Sequence, residues 1–391
     1  MANIRLAWIW ALAHDQIELL GEAAQSQWYF FELLNYYREA EAVFARTADA
    51  VRRDLQEQKT ELAQENREKY VGALGQFLMH QAYFTMRLGR VDEAEALCLD
   101  SISSLRSVDD PEALARALSY YAFLNWSTGR LDQARDLLQE CLPLSRDHGS
   151  PWQIALFTGF LGNVAHERGE YESSYRLLSE ALERSQVIGD PRLIGYMSAY
   201  LGRAALKLKR TAEIEGILRE GARNTRESGD RFCYGLILEQ LALAAHARGD
   251  FISAEKLFEA SANLFGEMED AWYLSRVLTS WGDLKLSLGE LSSAAERFRQ
   301  AIRTSLEAQT LPVALNALLG LARVYALEGK VDSALEIAIR IIDHPASPQD
   351  ARASAKLIQR NMESQLTSDE VEAINQRAHS QTLEQFARFQ L

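Results

Sequence analysis

The chain has 391 residues, 47% of them hydrophobic, and 42 basic against 55 acidic residues, for a net charge of −13. That balance argues against a nucleic-acid surface, which needs clustered Lys and Arg, and no apolar run reaches the roughly 18 residues that span a bilayer. Cys98, Cys141 and Cys233 are sparse, odd in number and without a C-x-x-C, which fits a reducing, cytoplasmic setting rather than a disulfide framework. In chain order, residues 4–13 and 16–25 predict a first short hairpin broken at His14-Asp15. A second starts with a helix over 26–34 and turns at 35–40, where Asn35 takes the left-handed place that Gly usually fills. The stretch 52–69 is dense in charge, lacks Gly and Pro, and places Arg53–Glu57 and Glu65–Lys69 at i,i+4 spacing. It predicts a solvent-exposed helical extension of roughly four turns, shared between two helices.

A six-residue turn then returns every 40 residues. It reads GRVDEA at 89–94, GRLDQA at 129–134, GEYESS at 169–174, KRTAEI at 209–214, GDFISA at 249–254, GELSSA at 289–294 and GKVDSA at 329–334. Fixed-period self-similarity marks a solenoid. Small residues keep phase with the turn: Ala82, Ala122, Gly162, Gly202, Ala242, Gly282 and Ala322 before it, and mostly Ala or Ser five and twelve residues after. Small residues in register let helix backbones approach to about 8–10 Å. Each period is therefore a helical hairpin, with first helices near 112–128, 152–168 and so on, and second helices of about 16 residues after each turn. Loops such as DDP at 109–111, GSP at 149–151 and GDP at 189–191 separate the periods. Pro143 falls inside a second helix and should kink or shorten it. Lys209 and Ile214 replace the usual Gly and Ala, which predicts a less closely packed hairpin there.

The period ends after Asp343, and HPASP at 344–348 is a Pro-marked stop. Helices over about 349–364 and within 366–391 follow, with Thr367 or Ser368 and Thr382 as caps. The pattern resembles the tetratricopeptide repeat, stretched from about 34 residues to 40. HEAT and armadillo repeats reach this length but lack the small-residue phasing. The expected fold is all-α: a right-handed α-solenoid of tetratricopeptide-like hairpins, with N-terminal hairpins and a charged insert over 1–69, seven regular repeats over 70–343 and capping helices over 344–391.

Catalysis is not expected. GALGQF at 72–77 lacks the Lys of a phosphate loop, HERGE at 166–170 lacks the second His of a zinc helix, and no Ser sits in a nucleophile elbow. No cofactor or metal is implied. A solenoid instead offers a concave surface lined by its first helices. In tetratricopeptide repeats that surface is built from positions about ten, six and three before the turn. Here those rows give an apolar half, Met79, Tyr83, Met86, Phe123 and Trp126. A polar half follows: Asn163, His166, Arg203, Glu239, His246, Asp283 and Arg323. Such a surface suits a protein or peptide more than a small molecule, although Tyr83 and Phe123 can equally pack on neighbouring helices. Placed on an open wall, Trp126→Ala should abolish binding while changing stability by no more than about 1 kcal/mol.

Three stretches carry a wider resemblance: NIRLAWIWALAHDQIELL at 3–20, HQAYFTMRLGRVDEAEAL at 80–97 and LTSDEVEAINQRAHSQTLEQFARFQL at 366–391. Together they resemble the C-terminal sensor region of bacterial STAND-class signalling ATPases, the class of the maltose-regulon activator. The resemblance implies a monomeric fragment of a longer chain that continues upstream into an effector and a nucleotide-binding module. It also implies the role, a repeat domain that senses an inducer and releases the ATPase to oligomerise. The alternative is a free-standing scaffold or co-chaperone that binds peptide tails.

Overall fold

The computed structural model describes residues 2–57, 64–148 and 150–389. Among them the chain forms 20 α-helices and no strand. It is an all-α, tetratricopeptide-like solenoid. From α6 on, first helices begin at Pro111, Pro151, Pro191, Arg231, Ala271 and Leu311, so the period of 40 read from the turns is also the period of the structure. Most helices of the array have 17 residues, whereas α3 (Tyr37–Glu57) has 21 and α4 (Gln64–Arg87) has 24. The charged stretch therefore does extend two helices, and residues 58–63 between them lie outside the described residues, as does Gly149.

Local chemistry accounts for most boundaries. The turn glycines of the array adopt φ between 72° and 84°, a region costly for residues with a Cβ. Lys209 meets the same demand at φ 59° and Asn35 at 57°, so the turn geometry is kept where the Gly is not. Asp190, Asp230 and Asp270 cap α10, α12 and α14 through backbone N–H groups of their first turns. Thr367 caps α19 in a reciprocal box with Glu370. Two expectations need correction. Residues 17–34 form one helix, α2, rather than ending one near 25 and starting another at 26. Pro143 does not shorten α7, which keeps 17 residues.

Two compact units make up the chain: Met1–Asn125 with Asp132–Phe160, and Trp126–Leu131 with Leu161–Leu391. In the first unit an aromatic core joins α2, α3 and α4. Trp28, Phe31, Phe44, Phe77 and Phe84 are buried there. Arg87 is held in it by Glu32 at 3.3 Å and by the hydroxyls of Tyr37 and Tyr83 at 2.6 and 2.9 Å. Such a buried guanidinium is tolerable only because these partners replace its water.

In the second unit α10 (Pro191–Lys207), α12 (Arg231–Ala247), α14 (Ala271–Ser287) and α16 (Leu311–Leu327) pack side by side, each paired with the helix that follows it. The small-residue slots are the reason they fit. A Cβ added at Gly282 would lie 2.6 Å from the Phe298 ring, and one at Gly320 would also collide with it. Phe298 of α15 (Leu291–Glu307) is thus a wedge whose two sides are glycines of α14 and α16. Ser261 closes a similar approach by donating its hydroxyl to the Gly235 carbonyl at 2.8 Å. Ile214 is buried in the slot that Ala fills elsewhere.

The end of the array is sealed rather than left apolar. The second helix of the last repeat, α17 (Val331–Asp343), has 13 residues and is covered by α18 (Gln349–Glu363) and α19 (Ser368–His379). Arg340 fixes the cover. Its guanidinium donates to the Gln381 and Arg377 carbonyls at 3.0 Å each and lies 4.1 Å from the Phe386 ring centroid. Terminal repeats need such a cap because a solenoid's last face has no neighbour.

Candidate functional site

The residues expected to form the concave surface divide between the two units. Met79, Tyr83, Met86 and Phe123 belong to the first. Met79 is fully buried and Phe123 nearly so. Tyr83 packs against Trp28, Tyr120 and Phe123, with ring centroids 5.3, 5.1 and 6.4 Å away, and Phe123 also stacks on Phe160 at 5.7 Å. These side chains are spent on neighbouring helices, and Met86 alone of the four keeps neither a ring partner nor full burial.

Trp126, Asn163, His166, Arg203, Glu239, His246, Asp283 and Arg323 all belong to the second unit. The centre is aromatic. Trp126, at the end of α6 (Pro111–Ser127), meets Trp272 edge-on at 5.0 Å and Tyr200 at 6.1 Å. Tyr200 packs on Tyr196 at 4.6 Å, and its hydroxyl shares a 2.9 Å hydrogen bond with that of Tyr273. Trp126 is only 7% exposed. The open wall expected for it is closed by rings from α10 and α14.

Next to the rings lies a buried ion pair. Arg276 grips both carboxylate oxygens of Glu239, with its Nε 3.1 Å from each, and stands 4.8 Å from the Tyr273 centroid. Burial would weaken the Arg276 charge, but Glu239 outweighs it and holds the guanidinium firmly protonated. Arg203 pairs with Glu167 at the end of α8 (Pro151–Glu167). Lys207 pairs with Asp350 at 2.5 Å.

His166 and Asn163 share one face of α8 and are 5% and 2% exposed. Among the described residues, Asn163 Nδ2 and His166 Nδ1 have no hydrogen-bond partner. Burial, with the charges of Arg203, Lys207 and Arg276, holds the His166 imidazole well below its usual pKa, so it is neutral at pH 7. On α12 and α14, His246 hydrogen-bonds Ser287 at 2.9 Å and Asp283 pairs with Arg323 at 2.7 Å. The Asp283 side chain is 41% exposed, yet protein crowds it enough to raise its carboxyl pKa against the pull of Arg323.

A titration follows from His166. The unfolded imidazole titrates near 6.5. Below that pH the unfolded chain binds a proton that the folded one refuses, so stability rises with pH across the window and falls on acidification. The expected loss is about 1.4 kcal/mol per pH unit for each such His. Urea midpoints between pH 7.5 and 5.5 should show a shallower fall for His166→Leu than for the parent chain. An unchanged slope would mean that His166 is not kept neutral.

Four side chains of this cluster were not among the expected rows: Tyr196, Tyr200, Trp272 and Arg276. Tyr196 and Arg276 sit thirteen before their turns, and Trp272 seventeen before. Counting on from ten by three and then four residues stays on one helix face, so that stripe was present in the sequence, two turns nearer each helix start. A shallow depression on α9 (Tyr171–Ile188), lined by Glu172, Tyr175, Arg176, Glu180 and Arg210, is open and mixed in charge.

A tetratricopeptide-repeat family model matches residues 74–147. No curated protein matches the chain. Among solved structures, a Rap protein in complex with Competence and Sporulation Factor is similar over 93% of this chain and 100% of its own, at 12% identity and TM-score 0.59. NprR in complex with its cognate peptide NprX is similar over 88% of this chain and 98% of its own, at 14% identity and TM-score 0.54. A STAND protein with a tetratricopeptide-repeat sensor, from Pyrococcus horikoshii, is similar over 87% of this chain and 52% of its own, at 13% identity and TM-score 0.47. Identities this low establish a shared fold and nothing further.

Proposed function

We propose that this chain is the non-catalytic sensor region of a STAND-type signalling ATPase, and that it recognises a protein or peptide inducer on the face of the second unit built from Trp126, Tyr200, Arg276 and their neighbours. One observation carries the ligand. Asn163 and His166 are nearly fully buried, His166 near three cations, and each leaves a polar atom without a partner among the described residues. Burying an unpaired donor or acceptor costs about 1–3 kcal/mol, and a peptide backbone supplies the missing groups. The aromatic and Arg side chains beside them are the residue types that anchor peptides and proteins. That NprR has been solved with a cognate peptide fits the reading. The STAND assignment rests on the sequence resemblance of 3–20, 80–97 and 366–391.

Selection of a random peptide display library against the purified chain tests it. Peptides should be enriched, and Arg203→Ala should weaken them by about thirtyfold, the effect of losing an anchor worth roughly 2 kcal/mol. The weakening should shrink as salt rises. Failure to enrich any peptide, or enrichment indifferent to Arg203, would remove the reading.

A further inference from the structure

We propose that Lys207, Tyr171 and Arg203 form a carboxylate subsite, that Asp350 fills it from within the chain, and that a carboxylate of the peptide ligand takes its place. The proposal rests on the reading of this face as a ligand site and deepens it. Asp350 lies in the first turn of α18, just after a connection from the last repeat in which His344 is extended and prolines stand at 345 and 348. That connection returns to much earlier repeats. A Cβ on Gly129 would come within 3.0 Å of Ala346, and one on Gly169 within 3.0 Å of the Gln349 side-chain oxygen. Lys207 Nζ donates to Asp350 Oδ2 at 2.5 Å. Burial would raise the Asp350 carboxyl, but Lys207, the Tyr171 hydroxyl and the charge of Arg203 outweigh it and hold the group below the usual carboxylate range.

Two features set this apart from an ordinary surface ion pair. The pair is open to exchange: Lys207 and Asp350 are 45% and 48% exposed, and pairs so exposed contribute about 0–1 kcal/mol. It also adjoins unmet demand, since the Tyr171 ring lies 5.2 Å from that of His166, whose Nδ1 has no hydrogen-bond partner among the described residues. Asp350 meets the charge of the subsite but brings no group to His166 or Asn163. A peptide carboxylate arrives with its own amides and can satisfy both. Displacing Asp350 releases the first turn of α18 and the connection that leads into it, which gives ligand binding a mechanical consequence.

The test uses a synthetic peptide of residues 344–350 with an amidated end, its counterpart with the final Asp changed to Asn, and that Asn peptide as the free acid. Calorimetry measures each against the whole chain and its Asp350→Ala variant. In the parent, tethered Asp350 competes at an effective concentration in the millimolar range. Asp350→Ala should therefore bind the Asp peptide about two- to sixfold more tightly than the parent does, the gain from removing a tethered competitor worth about 0–1 kcal/mol. The amidated Asn peptide should lose that gain, and Lys207→Met added to Asp350→Ala should erase the difference between the two. Recovery of binding by the free-acid Asn peptide would assign the subsite to a C-terminal carboxylate, and no recovery to an acidic side chain. Equal binding by parent and variant, equal binding of Asp and Asn peptides, or no binding to Asp350→Ala would overturn the subsite. Display-selected peptides that still depend on Arg203 would in that case leave the broader reading standing. A subsite that binds the loop peptide while no display peptide is enriched would do the reverse.

Discussion

Glu239→Ala is expected to destabilise the second unit by about 3–5 kcal/mol, the cost of leaving a buried charge without its partner. Arg276 is the stranded group. Its side chain and that of Glu239 are largely shut off from water, and both carboxylate oxygens are committed to it. Glu239→Gln should cost less, because the amide oxygen still accepts a hydrogen bond. The double variant Glu239→Met with Arg276→Leu should regain much of the loss, since the pair's net contribution is small beside the penalty for breaking it. Urea unfolding followed by circular dichroism gives the energies, and hydrogen exchange on α12 and α14 places them. A single variant within about 1 kcal/mol of the parent would show that the guanidinium finds water once its partner is gone.

Trp126→Ala should cost about 3–5 kcal/mol, the usual range for deleting a buried Trp or Phe. This reverses the small cost that an open groove wall implied. Trp126 is nearly buried, and the edge-on contacts with Trp272 and Tyr200 add to its apolar burial. Trp126→Phe keeps part of both and should fall between. The consequence for function is practical: a loss of ligand binding in Trp126→Ala cannot be read as loss of an anchor. Arg203→Ala is the cleaner probe, since Arg203 keeps partial access to solvent and pairs only at the edge of the cluster.

The contrast between these two residues shows what was legible. Contacts that repeat with the period could be read from one repeat and copied to the next. The turn glycines and the small-residue slot at Gly282 are of this kind, and the cap at Thr367 was legible from its local sequence alone. The meeting of Trp126 with Trp272 is not. It depends on the rotation between successive repeats, a small angle summed over several hairpins, and no single repeat encodes the sum. The return of the 344–350 loop to the turns at Gly129 and Gly169 escaped for the same reason. Glu239 and Arg203 stood in the expected rows but their partners did not: Arg276 lies thirteen before its turn, ahead of the first row, and Glu167 two before, past the last. The continuity of α2 was lost to a different cause. An apolar stretch rich in Trp, Tyr and Phe over 27–31 looked like a new element, while nothing around Gln25 breaks a helix.

Hydrogen exchange with a display-selected peptide bound tests the site itself. Protection should appear in the C-terminal half of α8 around Asn163 and His166, and along α10, α12 and α14 over residues 196–207, 239–246 and 272–283, with little change on α9 between Glu172 and Glu183. Protection centred on that α9 depression, with α10, α12 and α14 unchanged, would contradict it.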